Sequence, residues 1–553
     1  MAPTPGILYV TMQPQPSLPA SQFQDWYNNE HGPGRLRLRF CENGFRYRAT
    51  DLEGPGKGLP EWMAVYDITD MAEMTKETYL RLRRTDVQSQ RERDTMAQIK
   101  VDRRLFDLVS SREAKEFRRL EEVGAEGEGN VLVAVSITVV PGKEKELDKW
   151  YDEEHIEMLS KVPGWLRTRR FVTSSILDGK EPVEYLALHE YAPKNGLGGE
   201  EFKAATSTPW AKDVSTSVVQ EKKRRMYDLY YTFGPAPRDL SALSNKELVP
   251  FTSTDGLTRT FPATASSDGT IESYITTKDG VDLPFRLEGS SDPNAPCIVL
   301  SNCILVTHGI WDGFLTSFFS PPQNSKYRIL RYLTRGRSSA YGSQPITVDV
   351  LASDIITLLD ALRIPKADAI IGVSLGGATV LCTALKYPDR VGAFVSCDTS
   401  AKSPEGNKKT WSDRIAVAEQ EGATAQTGEK VVGEKLAEMT VRRWFVPQSY
   451  EIPDLVPELE RVKEMVRTNS LEGFKKSVQA LWEYDLTPLM NGAKVKGCFV
   501  VGSGDGVLPT GMKKMAEGYG EKGAEYVVIE GAGHLPMVEK PREFAEAVTK
   551  FLC

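Results

Sequence analysis

Ser374 has the neighbours that a nucleophilic side chain needs. It is the central residue of a G-x-S-x-G pattern at residues 372–376, after the apolar pair Ile370-Ile371. A helical pattern of small and then apolar residues follows, so the order strand, tight turn, helix is that of a nucleophile elbow. Glycine is favoured on both sides of the serine because a side chain would clash at so sharp a turn. The alternative is a glycine-rich turn with an incidental serine.

A base and an acid follow in the chain. His534 comes directly after a predicted strand, and Asp505 comes after the preceding one, so both lie at carboxyl ends of strands, where α/β sheets build their sites. The order Ser374, Asp505, His534 is that of an α/β-hydrolase triad. Histidine would take the serine proton, and aspartate would fix the histidine tautomer. Asp398, after another predicted strand, is a rival acid.

Two assignments of the oxyanion turn remain open. If a strand spans residues 297–300, the turn starts at Ser301, and the donors are the backbone N–H groups of Ile304 and Leu375. If the strand instead spans residues 304–307, then His308 and Gly309 form the turn. We favour the first assignment, which leaves His308 as a loop residue near the pocket mouth.

Composition excludes several classes of function. The 553 residues are too many for one compact domain, and 40% hydrophobic with 26% charged residues is ordinary for a globular protein. A net charge of -7 disfavours nucleic acid as a partner. No apolar run approaches the ~20 residues of a membrane span, no signal peptide is visible, and the seven cysteines lack C-x-x-C spacing. We therefore predict a cytoplasmic protein with no membrane segment, cofactor or metal.

The first 235 residues contain two copies of one unit. The W-Y-x-x-E-H segments end at His31 and His155, which are 124 residues apart, and flanking strand patterns repeat at nearly the same distance. Each copy reads as strand, helix, strand, strand, helix, strand, the order of a ferredoxin-like unit. Two units in tandem resemble the dimeric α/β-barrel superfamily, and the repeated segment is similar to its EthD-type members. Each histidine is either a general base or ligand anchor, or a helix-end residue that meets the last carbonyls.

From residue 271 onward, strands alternate with helices, which predicts a parallel, doubly wound sheet. Residues 401–482 are helical and charged and occupy the place of a cap over the site. Six residues are candidates for substrate binding: Cys303, Trp311, Arg414, Arg443, Trp444 and Trp482. An arginine among them could hold a carboxylate through two hydrogen bonds, although each could also lie on a solvated helix face.

Residues 271–553 resemble the 3-oxoadipate enol-lactonase branch of the α/β-hydrolases. The segments that carry the resemblance lie at residues 300–303, 311–312, 330–336, 359–362, 372–377, 387–391, 443–445, 504–506 and 533–536. Two departures stand out: Cys303-Ile304-Leu305 replaces the family's usual Ser-Leu-Gly, and Arg337 replaces a frequent histidine. The bulkier turn favours a substrate other than the family's small dicarboxylate lactone.

The sequence thus predicts a multidomain α/β and α+β chain: an α/β-hydrolase with a helical cap, preceded by two ferredoxin-like repeats that form a pseudo-dimeric α/β barrel. The predicted order is repeat 1 (1–115), repeat 2 (125–235), an exposed linker (236–268), hydrolase core (269–400), cap (401–482) and hydrolase core (483–553).

The predicted function is hydrolysis of a small-molecule ester or lactone, enol-lactone-like and either carboxylated or polyketide-derived, through Ser374. The alternatives are C–C bond hydrolysis by the same triad, and a cofactor-free enzyme or binding module in the barrel half, with the hydrolase half as scaffold or partner activity. The fused repeats can satisfy each other, so both a monomer and a homodimer are compatible with the sequence.

Overall fold

The computed structural model describes residues 2–119, 129–179, 181–338 and 340–553. The chain divides into two compact units, Met1–Leu248 with Thr252–Gly256, and Val249–Phe251 with Leu257–Cys553. The predicted boundary between the two repeats falls partly on residues 120–128, outside the described residues. Within the described ranges, no helix is both long and apolar enough to cross a membrane.

The first unit is a closed barrel of eight antiparallel strands in the order β1-β3-β2-β8-β5-β7-β6-β4. The strands are β1 Gly6–Pro14, β2 Cys41–Ala49, β3 Trp62–Ile68, β4 Ile99–Glu113, β5 Val131–Val139, β6 Trp165–Thr173, β7 Tyr185–Tyr191 and β8 Val219–Phe233. Alternation along each strand gives two buried faces. On β5, for example, Leu132 and Ala134 point into the barrel core, whereas Val133 and Val135 pack outward in a separate apolar cluster.

Short helices cover the outside of the barrel. They are α1 Ala20–Trp26, α2 Gly32–Leu36, α3 Glu77–Leu80, α4 Gln90–Met96, α5 Glu144–Trp150, α6 Ile156–Leu159, α7 Glu200–Thr206 and α8 Pro209–Asp213. Each outer cluster buries the tryptophan and tyrosine of one repeated segment, Trp26 and Tyr27 in the first copy and Trp150 and Tyr151 in the second. The repeated motif therefore forms the helical side of the outer core.

The repeated W-Y-x-x-E-H segments form π-helical turns, Tyr27–His31 and Tyr151–His155. Each turn joins two α-helices without a break. Of the two interpretations of these histidines, the helix-end position is therefore wrong, because each π turn continues into a second α-helix. Only 9% of His31 and 8% of His155 is exposed. Such π turns are frequent at functional sites.

In the first repeat, the buried histidine is held by a carboxylate from α4. His31 Nδ1 lies 2.9 Å from Glu92 Oε1, and the indole N–H of Trp26 donates to Glu92 Oε2 at 2.6 Å. Burial opposes the charge on Glu92, but His31, Arg35 and Trp26 outweigh it and lower the pKa of Glu92 to about 2. Burial lowers the pKa of His31 to about 4. At neutral pH a neutral histidine therefore donates to a glutamate anion.

Replacing Glu92 by alanine is expected to destabilise the barrel by about 3 kcal/mol, because two buried donors lose their acceptor. Glu92→Gln keeps an acceptor oxygen and should cost less. Urea unfolding of the full chain, followed by circular dichroism, measures both effects. Equal stability of the alanine variant and the parent would contradict the role given to this carboxylate.

The predicted exposed linker is partly wrong. Ala236, Leu240 and Leu243 are buried in the first unit, and Asp239 accepts a hydrogen bond from the side chain of Asn28 at 2.6 Å. These contacts were not visible in a segment rich in proline and serine, because nothing in its own pattern marks the surface on which it packs. The stretch up to residue 248 belongs to the barrel unit.

The second unit contains one ten-stranded sheet in the order β18-β17-β16-β15-β13-β14-β12-β11-β10-β9. Its strands are β9 Phe251–Thr252, β10 Arg259–Phe261, β11 Thr270–Thr276, β12 Asp282–Gly289, β13 Cys297–Ser301, β14 Arg328–Tyr332, β15 Ala367–Val373, β16 Val391–Cys397, β17 Lys496–Gly502 and β18 Glu525–Ile529. Neighbouring strands from β14 to β18 pair in parallel, so their carboxyl ends share one edge of the sheet.

The helices of the second unit are α9 Asp312–Phe318, α10 Val348–Ala361, α11 Leu375–Lys386, α12 Asn407–Glu421, α13 Glu434–Trp444, α14 Val456–Arg467, α15 Leu471–Ser477, α16 Thr487–Met490, α17 Leu508–Glu517, α18 Pro536–Glu539 and α19 Pro541–Leu552. Helices α12 to α15 are inserted between β16 and β17, in the segment predicted to be a cap. Their inserted position lets them approach the carboxyl edge of the sheet without interrupting it.

Candidate active site

Ser374 lies between β15 and α11, on a backbone turn that few residues tolerate. Its φ of 58° and ψ of -118° are strained for a residue with a side chain. Neighbouring chain passes so close that a Cβ at Gly372 would collide with the carbonyl oxygen of Gly376, and a Cβ at Gly376 with that of Ser301. The two glycines of the G-x-S-x-G pattern are therefore required sterically.

The turn after β13 lies directly against the start of α11. Strand β13 ends at Ser301, as the first of the two sequence assignments predicts. The buried side chain of Asn302 fixes the turn: it donates to the Tyr332 carbonyl at 2.6 Å and accepts from the Trp311 indole at 2.9 Å. Leu305 has φ 71°, a left-handed conformation in the place of the family's glycine.

Two backbone donors at this junction are unused. Within the described chain, the N–H groups of Ile304 and Leu375 donate to no acceptor. Leu375 begins α11, where the helix presents unsatisfied N–H groups and the positive end of its dipole. Because Gly376 touches the Ser301–Asn302 backbone, these two donors belong to one corner of the sheet edge. The corner suits a developing negative oxygen.

His534 and Asp505 are hydrogen-bonded to each other. The distance from His534 Nδ1 to Asp505 Oδ2 is 2.7 Å. The backbone N–H of His534 donates to the Trp444 carbonyl at 2.7 Å, and the Trp444 ring stacks on the imidazole. No hydrogen bond joins the Ser374 hydroxyl to His534 among the described contacts; such bonds commonly tighten only when substrate is bound.

The rival acid, Asp398, lies next to Asp505 but does not bind the histidine. It is fully buried, and its Oδ1 accepts from the Gly502 N–H at 2.9 Å. Burial, and then the nearby Asp505 carboxylate, raise the pKa of Asp398 well above its usual range, although the attraction of His534 opposes the shift. These surroundings therefore favour the uncharged form of Asp398.

The surroundings of His534 also shift its pKa. Burial by itself lowers the pKa of His534, but the attraction and hydrogen bond of Asp505, and then the Cys303 thiol, outweigh burial and raise it to about 10. Cys303 is therefore one predicted substrate-binding residue that the structure brings to the site.

Glu539 is a buried residue that the sequence interpretation missed. It accepts hydrogen bonds from the Val446 N–H at 2.9 Å, the Ser449 hydroxyl at 2.6 Å and the Gly533 N–H at 2.5 Å. It thereby ties the segment after α13 to the loop that carries His534. A glutamate directly after the apolar run Leu535–Val538 was the available signal, because a carboxylate in such a run must be satisfied internally.

The three predicted tryptophans differ in burial. Trp311 and Trp444 are almost fully buried, with Trp311 behind the Asn302 turn and Trp444 against His534. Trp311 therefore has no surface to offer a substrate. Trp482 is half-buried beside Lys408, whose ammonium lies 5.0 Å from its ring.

Arg414 and Arg443 come from different cap helices, α12 and α13, and lie near each other. Burial, and then the charge of Arg443, lower the pKa of Arg414 to about 10. Burial also lowers the pKa of Arg443, with Cys303 and Asp505 acting in the opposite direction. The Arg443 residue is nonetheless solvent-exposed. Neither arginine has an ion pair within the described residues.

His308 lies off the site. It starts a 3-10 turn, its backbone carbonyl accepts from Arg331 at 3.1 Å, and its Nδ1 is buried without a partner in the described chain. Burial, and then Arg331, lower its pKa to about 4. It is therefore neutral at physiological pH, and it lies in the connection between β13 and α9.

Comparison with known proteins finds relatives of the C-terminal half of the chain. The profile of the Alpha/beta hydrolase family matches residues 304–547. The chain is 28% identical to 3-oxoadipate enol-lactonase 2 of Acinetobacter baylyi over 279 residues, which cover 49% of this chain and 93% of the relative. It is 25% identical to 3-oxoadipate enol-lactonase 1 of the same organism, covering 50% of this chain and 96% of that relative.

Among solved structures, the enol-lactonase from Burkholderia xenovorans LB400 is 27% identical, with a TM-score of 0.44, and the match covers 50% of this chain and 99% of that one. The C-terminal half of the chain is an α/β-hydrolase. Within that class, it resembles the enol-lactonases.

Proposed function

We propose that the second unit hydrolyses a carboxylic ester or lactone, with Ser374 as nucleophile, His534 as general base and acid, and Asp505 as the acid that orients the histidine. The observation that carries the proposal is the arrangement at one sheet edge. A serine on a strained elbow, a histidine bonded to a carboxylate, and two unused N–H groups follow neighbouring strands. That combination is the apparatus of acyl transfer.

The reaction would proceed through an acyl-enzyme. Ser374 Oγ attacks the carbonyl carbon while His534 Nε2 takes its proton, and the N–H groups of Ile304 and Leu375 stabilise the oxyanion. The histidine then returns the proton to the leaving oxygen as the ester bond breaks. Water, deprotonated by the same histidine, attacks the acyl group and releases the acid and Ser374.

The acidic limb of the pH profile of kcat/KM is expected well above the ordinary histidine value of about 6.5. Only the neutral imidazole accepts a proton, so activity falls as pH drops through the raised pKa of His534. Cys303→Ala removes one of the groups that raise this pKa and should move the limb to lower pH. Cys382→Ala, which removes a thiol bonded to Asp349 in α10, is the control. An unmoved limb in Cys303→Ala would contradict this coupling.

We infer further that the substrate carries a carboxylate. Arg414 and Arg443 approach the site from the cap without a counter-ion in the described chain. Arg443 lies close enough to Cys303 and Asp505 to interact electrostatically with both. Two unpaired guanidinium groups favour an anionic substituent. The similarity to enol-lactonases supports the same class.

Arg443→Ala is expected to raise KM for a carboxylated lactone by roughly 10- to 100-fold, the loss of one charge-assisted hydrogen bond. Hydrolysis of a neutral aryl ester should change little. The neighbouring Arg442→Ala is a matched control, since Arg442 pairs with Glu438 on the exposed face of α13. Equal losses on charged and neutral substrates would overturn the carboxylate assignment.

Mass spectrometry of the products from a panel of enol-lactones, saturated lactones, aryl esters and vinylogous 1,5-diketones tests the reaction itself. Ester and lactone cleavage in the parent, absent in Ser374→Ala, is the expected result. Turnover of the diketones alone would replace ester hydrolysis by C–C bond hydrolysis at the same triad.

For the first unit, we infer that each half of the barrel is a ferredoxin-like repeat of the EthD type. The strand orders β4-β1-β3-β2 and β8-β5-β7-β6 repeat one pattern, and each half carries the same π-helical turn. The recurrence of both features supports a fused pair of equivalent units.

A further inference from the structure

The second half of the barrel unit contains a cavity of about 260 Å³. Most of its wall is aromatic or aliphatic, including Trp150, Tyr151 and Tyr191. The polar side chains that line it are His155, His189, Lys222 and Arg224, together with two hydroxyls. An apolar pocket with a few converging polar groups is the usual form of a small-molecule site.

The two repeats can be aligned by a shared contact. In repeat 1, the Ser89 hydroxyl caps α4 and donates to Glu30 Oε1 at 2.5 Å. In repeat 2, the Thr208 hydroxyl caps α8 and donates to Glu154 Oε1 at 2.6 Å. Each glutamate directly precedes the histidine of its repeat. Ser89 and Thr208 are therefore equivalent positions.

The residue three positions after this cap differs between the repeats. In the first it is Glu92, which occupies the space beside His31 and bonds to it. In the second it is Ala211, whose methyl side chain offers no acceptor and lines the cavity. The same scaffold is thus filled by an internal carboxylate in one repeat and left open at His155 in the other.

The hydrogen bonds of His155 fix its tautomer. Its Nδ1 lies 3.3 Å from the Ala205 carbonyl oxygen, which can only accept, so Nδ1 carries the proton. Nε2 is then a lone-pair acceptor, and it has no partner within the described residues. The His155 ring lines the cavity, and neighbouring atoms do not cover Nε2. We therefore take Nε2 to be open to the cavity. Burial lowers the pKa of this histidine to about 3, which keeps Nε2 free of a proton.

The charges around the cavity are all positive. Lys222 and Arg224 lie on β8 with solvent-exposed side chains, and neither has a carboxylate partner among the described residues. No aspartate or glutamate lines the described wall. Two cations without a counter-ion at the rim of an apolar cavity favour an anionic ligand.

We propose that this cavity is a binding site for a small aromatic anion that also carries a hydroxyl group. The ring packs among Trp150, Tyr151 and Tyr191, the hydroxyl donates to Nε2 of His155, and the acidic group pairs with Lys222 and Arg224. A cavity of about 260 Å³ holds a single-ring ligand. The site belongs to the barrel alone and does not depend on the hydrolase reaction.

Calorimetric titration of the full-length protein with 4-hydroxybenzoate tests the proposal. We expect saturable binding, weakened at least tenfold by Lys222→Ala or Arg224→Ala. Benzoate, which lacks the hydroxyl, should bind about fivefold more weakly, the effect of one hydrogen bond. Lys223→Ala is the matched control, because Lys223 lies between the two residues but pairs with Glu221. The ring C–H signal of His155 should shift on binding, and that of His31 should not.

Ala211→Glu is the decisive variant, because it introduces the residue that fills the first repeat. It should abolish binding while circular dichroism and the melting temperature show a folded protein. Ala211→Leu fills the space without charge and should do the same, which covers a folding failure of the glutamate variant. Absence of binding to the parent at millimolar ligand, or binding that survives both substitutions, would overturn the proposal. So would binding that is lost only in Arg443→Ala, which would place the ligand in the hydrolase unit.

Discussion

Ser374→Ala is expected to lower kcat for ester or lactone hydrolysis by about 10⁴- to 10⁶-fold, the scale on which removal of a nucleophile acts in serine hydrolases. The variant retains the unused N–H groups of Ile304 and Leu375, so a small residual rate above water should remain. Steady-state kinetics with an aryl ester, and labelling of the parent by a fluorophosphonate, measure the effect. The labelled peptide should contain Ser374.

Stability measurements distinguish a variant that has lost catalysis from one that has failed to fold. Because Ser374 is held at φ 58°, Ser374→Gly should relieve strain and stabilise the protein by about 1 kcal/mol while also abolishing turnover. Ser353→Ala, on the exposed face of α10, is the control for a serine-to-alanine change and should leave activity unchanged. Substantial activity in either Ser374 variant would remove the basis of the proposed mechanism.

Asp505→Asn is expected to lower kcat by about 10³- to 10⁴-fold with little change in fold. Asp505 Oδ2 accepts from His534 Nδ1 at 2.7 Å, which keeps the proton on Nδ1 and leaves Nε2 free to act as base. An asparagine can present its N–H₂ group instead and stabilise the wrong tautomer. The loss of a negative charge also lowers the pKa of His534, so the residual activity should show an acidic limb shifted to lower pH.

Asp398→Asn is the matched control for this change. Because burial and then Asp505 raise the pKa of Asp398 and so favour its uncharged form, an uncharged amide of the same shape should alter kcat less than about threefold, an effect well below 1 kcal/mol. The left-handed backbone of Asp398, at φ 44°, also suits asparagine. A larger loss in Asp398→Asn than in Asp505→Asn would assign the orienting role to Asp398.

Much of the candidate site could be predicted from the sequence, because its parts depend on short stretches of chain. A G-x-S-x-G pattern between an apolar run and a helix specifies an elbow by steric need, and the structure shows which carbonyl oxygens exclude a side chain at Gly372 and Gly376. Likewise, His534 and Asp505 could be proposed as base and acid because each lies in the loop after a strand, and parallel strands bring their carboxyl ends to one edge.

Contacts between distant segments were harder to predict from the sequence. The exposed linker was predicted from composition, yet Leu240 and Leu243 are buried, because packing depends on a surface formed elsewhere in the chain. The buried carboxylate of Glu539 joins the His534 loop to the segment after α13. Its partners are backbone N–H groups, which carry no signature in the sequence.

The sequence by itself determined the fold class of the C-terminal half, the elbow and the candidate base, since each depends on neighbours within a few residues. Only the tertiary structure shows that Asp505 rather than Asp398 contacts His534, because both follow strands and the contact depends on how distant loops come together. It also decided that His31 is closed off by Glu92 whereas His155 faces a cavity. The two histidines share one local motif, and their difference depends on a residue dozens of positions away that folding brings beside the ring.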